Sequence, residues 1–205
     1  MGQPVMAVPY NEGLLIFGFA PQPGKIFEVY DRIALGGVGH PADVERLRMN
    51  LLDMAHLEGF NRSAQDVTSA RLLQFGIAPA LKQNFEEIQR APYIIRMLLV
   101  ELDREGDPNF FRMNYDGHWE TFKNGTAIAG EEKVMDWLQK EIQKQPFATY
   151  SLDQALQQAC KLWDESRKLE SDDEAKKDIP ETLQEAFDQW YLEGAVLTEK
   201  SMRKA

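Results

Sequence analysis

The side chains able to carry chemistry are few, and their spacing restricts what they could do. His40, His56 and His118 fall on a predicted helix start, a helix end and a hairpin. No pair has the i, i+4 spacing that lets two imidazoles on one helical face grip a metal. The single cysteine, Cys160, sits beside Ala159 and close to Leu162, which favours a buried structural thiol over a nucleophile. One cysteine also excludes a disulfide framework and any Cys-rich zinc site. Gly36-Gly37-Val38-Gly39 lies between a strand pattern and a helix pattern, where glycines could cradle a phosphate. The spacing is not G-x-G-x-x-G and no Lys-Ser/Thr follows, so a tight strand-to-helix turn is the favoured reading. Glu131-Glu132 opens a helix, where the dipole favours negative charge without any catalytic dyad. Trp137 and Trp163 read as core. One absence bears harder than these presences: from Met1 through Arg62 there is no Ser, Thr or Cys, and Ser63 is the first. A hydrolase with an N-terminal nucleophile needs one of those residues at the start of its first strand, where the free amine acts as base.

The composition sets the wider frame. The chain has 205 residues, with 33 acidic against 23 basic side chains, a net charge of −10 and a pI near 4.9. Neutralising phosphates requires clustered Lys and Arg, so a nucleic-acid partner is not expected. A hydrophobic share of 43% is that of a folded chain rather than a disordered one. The early apolar run Leu14 to Ala20 is too short to span a bilayer, no basic stretch precedes it, and Met6 stands where N-myristoylation needs Ser or Thr. The expectation is one domain over residues 1–205, cytoplasmic, with no cofactor, metal or membrane partner.

The elements that must position these residues follow from periodicity. Val5 to Val8 and Leu14 to Phe17 flank Asn11-Glu12-Gly13, a hairpin pattern. After Pro21-Gln22-Pro23-Gly24, Lys25 to Val29 and Ile33 to Val38 read as buried strands. A helix starts at Pro41, carries Val44, Leu47, Leu51 and Ala55 inward, and is expected to end at Gly59. A second helix from about Asp66 uses Leu73, Ile77, Leu81, Phe85 and Ile88. Pro79 should kink or split it, and Pro92 marks its end. Tyr93 to Leu102 is nearly all apolar and is expected at the centre of a sheet covered on both faces. Asp116-Gly117 joins Phe110–Asn114 to Trp119–Lys123 as the clearest hairpin signal, and Thr126–Ala129 adds a short strand. Two helices follow, around Val134, Leu138 and Ile142 and around Leu152, Ala155, Ala159 and Leu162. The second opens with a Ser151/Gln154 capping box. The charged stretch 170–180 reads as a mobile loop. Beyond it, Leu183, Phe187 and Trp190 have helical spacing, whereas Ala195-Val196-Leu197 looks like strand. Strands, two helices, strands, two helices, strand is not βαβ alternation. It points to an α+β fold, a four-layer αββα sandwich of two antiparallel sheets with helix pairs outside.

From Lys25-Ile26-Phe27-Glu28-Val29-Tyr30-Asp31-Arg32 onward, the sequence resembles proteasome α subunits, particularly the actinobacterial type. The likeness continues through Gly59-Phe60, Asp66-Val67-Thr68, Ala91-Pro92-Tyr93 and Phe110 to Gly117, and ends at Leu192-Glu193-Gly194-Ala195-Val196-Leu197. The resemblance implies the αββα sandwich of the N-terminal-nucleophile hydrolases. Catalytic β subunits of that family carry an N-terminal threonine, an acid and a lysine. Aligned through Gly13, the threonine position falls near Gln3, the acid position near Phe19, and only Lys25 matches. In α subunits the lysine lines a pocket between neighbours that receives the carboxylate tail of an activator, and the resemblance carries that role to Lys25. An ordinary ion pair at a strand start is the plainer reading of the same residue.

The function so implied is structural: a non-catalytic α-like subunit of a bacterial self-compartmentalising protease, acting in ring assembly and substrate access. Its partners would be like subunits in a heptameric ring, β-type subunits and an ATPase activator. The family's helical N-terminal extension and final helix are not seen in this sequence, which keeps open a stand-alone adaptor or assembly factor. An N-terminal-nucleophile peptidase is the remaining alternative, disfavoured by the missing hydroxyl and thiol.

Overall fold

Nine strands and six α-helices are arranged in the computed structural model, which describes residues 2–87, 91–169 and 180–198. The hairpin read from Asn11-Glu12 is formed: β1 (Val5–Tyr10) and β2 (Gly13–Ala20) pair antiparallel from Val5↔Gly18 to Tyr10↔Gly13. β8 (Thr126–Ile128) lies on the other side of β1, and β9 (Tyr191–Thr198) pairs with all of β2, giving the sheet order β8-β1-β2-β9. The second sheet has the order β3-β4-β5-β6-β7, from β3 (Ile26–Tyr30), β4 (Ile33–Gly39), β5 (Ile95–Leu102), β6 (Pro108–Met113) and β7 (Trp119–Phe122). The apolar run expected at the centre of a sheet is β5, flanked by β4 and β6 and buried on both faces. At the β6–β7 hairpin Gly117 takes φ +83°, a conformation that costs glycine nothing.

Both sheets are covered by helices. α1 (Pro41–Asn61) buries Val44, Leu47, Leu51 and Ala55 against the second sheet, with Leu35, Met97 and Leu99 in the same core. α4 (Glu132–Lys144) and α5 (Leu152–Arg167) pack Leu138, Ile142, Ala159 and Trp163 against β1 and β2. The four layers are therefore helix, sheet, sheet, helix. The Ser151/Gln154 capping box is present, with both reciprocal hydrogen bonds made.

Three expectations about local structure need correction or completion. α1 does not end at Gly59 but runs to Asn61. The glycine is there because a Cβ would lie 2.3 Å from the Tyr30 hydroxyl, so α1 could not otherwise pass so close to β3. The second helix runs from α2 (Ser69–Leu72) through a π turn (Leu73–Ile77) into α3 (Ala78–Glu86), so the interruption expected at Pro79 is a widened turn just before it and not an end of the helix. Proline lacks the N–H and its ring would crowd the carbonyl four residues back; the wider turn just before it relieves that conflict. Ile88, assigned to this helix's stripe, lies outside the described residues. The ambiguous stretch near the end is both things in turn, α6 (Leu183–Gln189) followed by β9. Residues 170–179 of the expected loop also lie outside the described residues. Pro180 at its end is buried, and its carbonyl accepts from the Arg167 guanidinium.

Candidate functional site

Lys25 closes the loop between β2 and β3. Its ammonium nitrogen Nζ donates to the main-chain carbonyl of Gln3 at 2.7 Å, just ahead of β1. The lysine and the position that the resemblance assigns to a nucleophile are thus in direct contact. Gln3 is buried and offers an amide side chain, neither a hydroxyl nor a thiol. Phe19, at the position assigned to an acid, lies in β2 with no exposed surface. Its ring centroid is 4.4 Å from that of Trp163 and 5.1 Å from that of Phe187. Phe19, Trp163 and Phe187 form an aromatic cluster there. Of the three positions that the resemblance assigns, one holds a lysine, one an amide and one an aromatic ring in the core.

The loop carrying Lys25 is held from the far end of the chain. The Glu193 carboxylate, on β9 opposite Gly18, accepts from three successive main-chain N–H groups: Gly24, Lys25 at 2.8 Å and Ile26 at 3.0 Å. Converging amides of this kind form a concave anion site, and bonds to a charged acceptor are stronger than neutral ones. In the sequence Glu193 stands out only as part of the family-like segment Leu192 to Leu197. The signal available was a lone charge in the run Leu192 to Leu197, at a place where a strand would otherwise be uncharged.

The remaining candidates resolve as structure. Gly36 and Gly37 are inside β4, not in a turn. A Cβ on Gly36 would meet Val5 Cγ1 at 2.7 Å, and one on Gly37 would meet Val44 Cγ1 at 2.6 Å. The glycines let the sheets and α1 approach closely, which replaces both the phosphate-cradle and the tight-turn readings. His40 caps α1, its Nδ1 accepting from the Ala42 N–H at 3.3 Å. His56 packs edge-on to Tyr30, and His118 belongs to the β6–β7 hairpin. Among the described residues no group of three or more His, Cys, Asp or Glu could hold a metal ion. Cys160 is buried, and burial pushes its thiol up to about 11, away from thiolate chemistry. Glu131 is the N-cap position of α4, and Trp163 is fully buried.

A second carboxylate lies within the apolar run of β5. Glu101, near the end of β5, is only 4% exposed and accepts from the Ser69 N–H at 2.8 Å where α2 begins. Burial raises its pKa above the ordinary 4.5; the bonds from Ser69 and the charge of Arg32 oppose this, and Asp103 reinforces it. Nearby, Arg104 donates to the Gln65 carbonyl and, at 2.6 Å, to Asp66, tying the turn before α2 to the end of β5.

The family described as Proteasome subunit matches residues 19–178. A proteasome subunit alpha of Thermomonospora curvata is 29% identical over 143 residues, covering 68% of this chain and 61% of the relative. That of a Parafrankia species is 31% identical over 153 residues, covering 72% of this chain and 63% of the relative. That of Mycobacteroides abscessus is 30% identical over 136 residues, covering 61% and 52%. The chain therefore spans about half to three-fifths of the length of these relatives. No described helix is long and apolar enough to cross a membrane. With a family match over most of its length and two face-to-face antiparallel sheets between helix layers, the chain belongs to the proteasome subunit family.

Proposed function

We propose that this protein is a non-catalytic, α-type subunit that serves a cytoplasmic proteolytic complex by assembly and substrate access, with no bond-breaking of its own. The observation that carries the reading is the Gln3–Lys25–Phe19 constellation. The lysine is kept, but no side chain at the neighbouring positions can attack a carbonyl or orient an amine as base. Exposed apolar side chains on the α1–α3 layer support a partnered life. Phe60 is 90% exposed, Phe75 66% and Leu57 62%. The partners proposed are like subunits in a ring, β-type subunits and an ATPase activator whose carboxylate tail Lys25 receives.

Native mass spectrometry of the chain, alone and with a β-type subunit of the same organism, tests the assembly. A heptamer or a larger stacked species is the expected outcome; a monomer in both samples would replace the ring with the stand-alone adaptor. Lys25→Ala should then weaken activator binding while leaving the assembly mass unchanged. Labelling of this chain by a covalent threonine-directed inhibitor would overturn the non-catalytic reading.

A further inference from the structure

The loop that presents Lys25 has little to pack against. Pro21, Gln22, Pro23 and Gly24 are all exposed, and a Cβ built on Gly24 would find only the tip of the Phe27 ring, 4.0 Å away. Packing therefore does not fix the loop, and hydrogen bonds must. The Lys25 residue is held at both ends: its N–H by Glu193 Oε2 at 2.8 Å, its ammonium by the Gln3 carbonyl at 2.7 Å. Glu193 itself stands on a strand whose register on β2 runs without a slip from Gly13↔Thr198 to Ala20↔Tyr191. A rigid ladder thus carries a carboxylate to an otherwise loosely packed loop, 168 residues earlier in the chain.

We propose that Glu193 is the positioning residue of the Lys25 site: by gathering the Gly24, Lys25 and Ile26 amides it fixes where the ammonium can meet the terminal carboxylate of a bound peptide. This rests on the tail-receiving role proposed for Lys25. The carboxylate does not touch the incoming peptide; it acts through the loop. It also couples the two sheets, because β9 belongs to one and the Gly24–Ile26 segment leads into β3 of the other. A disturbance of β9 should therefore be felt at Lys25.

The test compares wild type, Glu193→Gln, Glu193→Asp and Lys25→Ala in the full-length chain. Glutamine keeps the size but turns an NH2 group toward donors, so it cannot accept from all three amides. Amide exchange at Gly24, Lys25 and Ile26 should quicken by about tenfold or more in Glu193→Gln, and the Lys25 side-chain nitrogen resonance should move. Exchange at Leu15 and Ile16 in the β1–β2 ladder should stay as it was. The binding probe is a ten-residue peptide from the C-terminus of the cognate ATPase, with a free carboxylate, against its C-terminally amidated twin. Glu193→Gln should weaken the free-carboxylate peptide by about tenfold, the loss of one charge-assisted bond, with little change for the twin. Glu193→Asp keeps the charge but shortens the reach, and should fall between. Unchanged exchange at Gly24–Ile26 in Glu193→Gln would overturn the positioning, as would altered exchange with wild-type peptide affinity. Wild-type affinity in Lys25→Ala would overturn the tail-receiving role instead, and the functional half of this proposal with it, while the exchange data would still judge the geometry.

Discussion

Glu193 and Glu101 do the same job in different surroundings. Each is a carboxylate near one end of a strand, and each accepts main-chain N–H groups from a segment far away in sequence. Glu193 is half-buried and gathers three donors; Glu101 is buried and has the Ser69 amide. A carboxylate left partly in water can hold a loop without surrendering its hydration. One enclosed behind α2 must give up hydration for fewer bonds, and its raised pKa records the deficit. The difference teaches what each contact is for. The buried one fixes a helix start inside the fold, where no solvent can substitute. The half-buried one fixes a surface loop, where solvent can compete and where precise placement of Lys25 is what would be lost.

The largest effect expected from breaking this comparison is Glu101→Ala. It leaves the Ser69 N–H buried without an acceptor and opens a void beneath α2. The loss should be roughly 2 kcal/mol in urea unfolding, after the relief of desolvation has offset part of the cost. Glu193→Ala should cost less, about 1 kcal/mol, because the Gly24 and Lys25 amides can turn to water. If Glu193→Ala proves the more destabilising of the two, the division between a structural and a positioning carboxylate is wrong.

The ease with which the sequence yields these features differs in the same way. The β1–β2 hairpin, the central β5, the Asp116-Gly117 turn and the Ser151 cap are local patterns, and all are found where the residues place them. Lys25 is legible only through the resemblance, as are the positions that it assigns to Gln3 and Phe19. What could not be read were long-range events. The Gly36-Gly37 pair looks like a turn because glycine signals freedom in one dimension. Its reason is the approach of Val5 and Val44 from other elements. The π turn before Pro79 is a tertiary answer to a local conflict, with Gly76 seated on Met54 of α1. Glu193 and Glu101 are lone carboxylates in largely apolar runs. The runs announce strands, but the amides that each charge answers lie on other elements, and no spacing encodes them.

The smallest effect is also the sharpest, because it isolates charge from hydrogen bonding at Glu101. Glutamine there retains an oxygen that can accept the Ser69 N–H while removing the ionisation. In the folded protein the Glu101 carboxyl has a pKa above 4.5, whereas in the unfolded chain it returns to that ordinary value. Below 4.5 both states hold the proton and the group is neutral in its effect. As pH rises from 4.5 through the raised folded value, the unfolded chain releases its proton more readily, and the wild type loses stability relative to Glu101→Gln. Urea unfolding of the two proteins between pH 4 and 8, kept dilute because the pI is near 4.9, should therefore show curves that lie close together in acid and separate toward neutrality, with the variant the more stable. Arg32, which favours the ionised form, and Asp103, which opposes it, both face this carboxyl. Arg32→Gln should widen the separation and Asp103→Asn should narrow it. A constant offset at every pH would mean that Glu101 is charged at no cost in the fold, and that enclosure does not govern it.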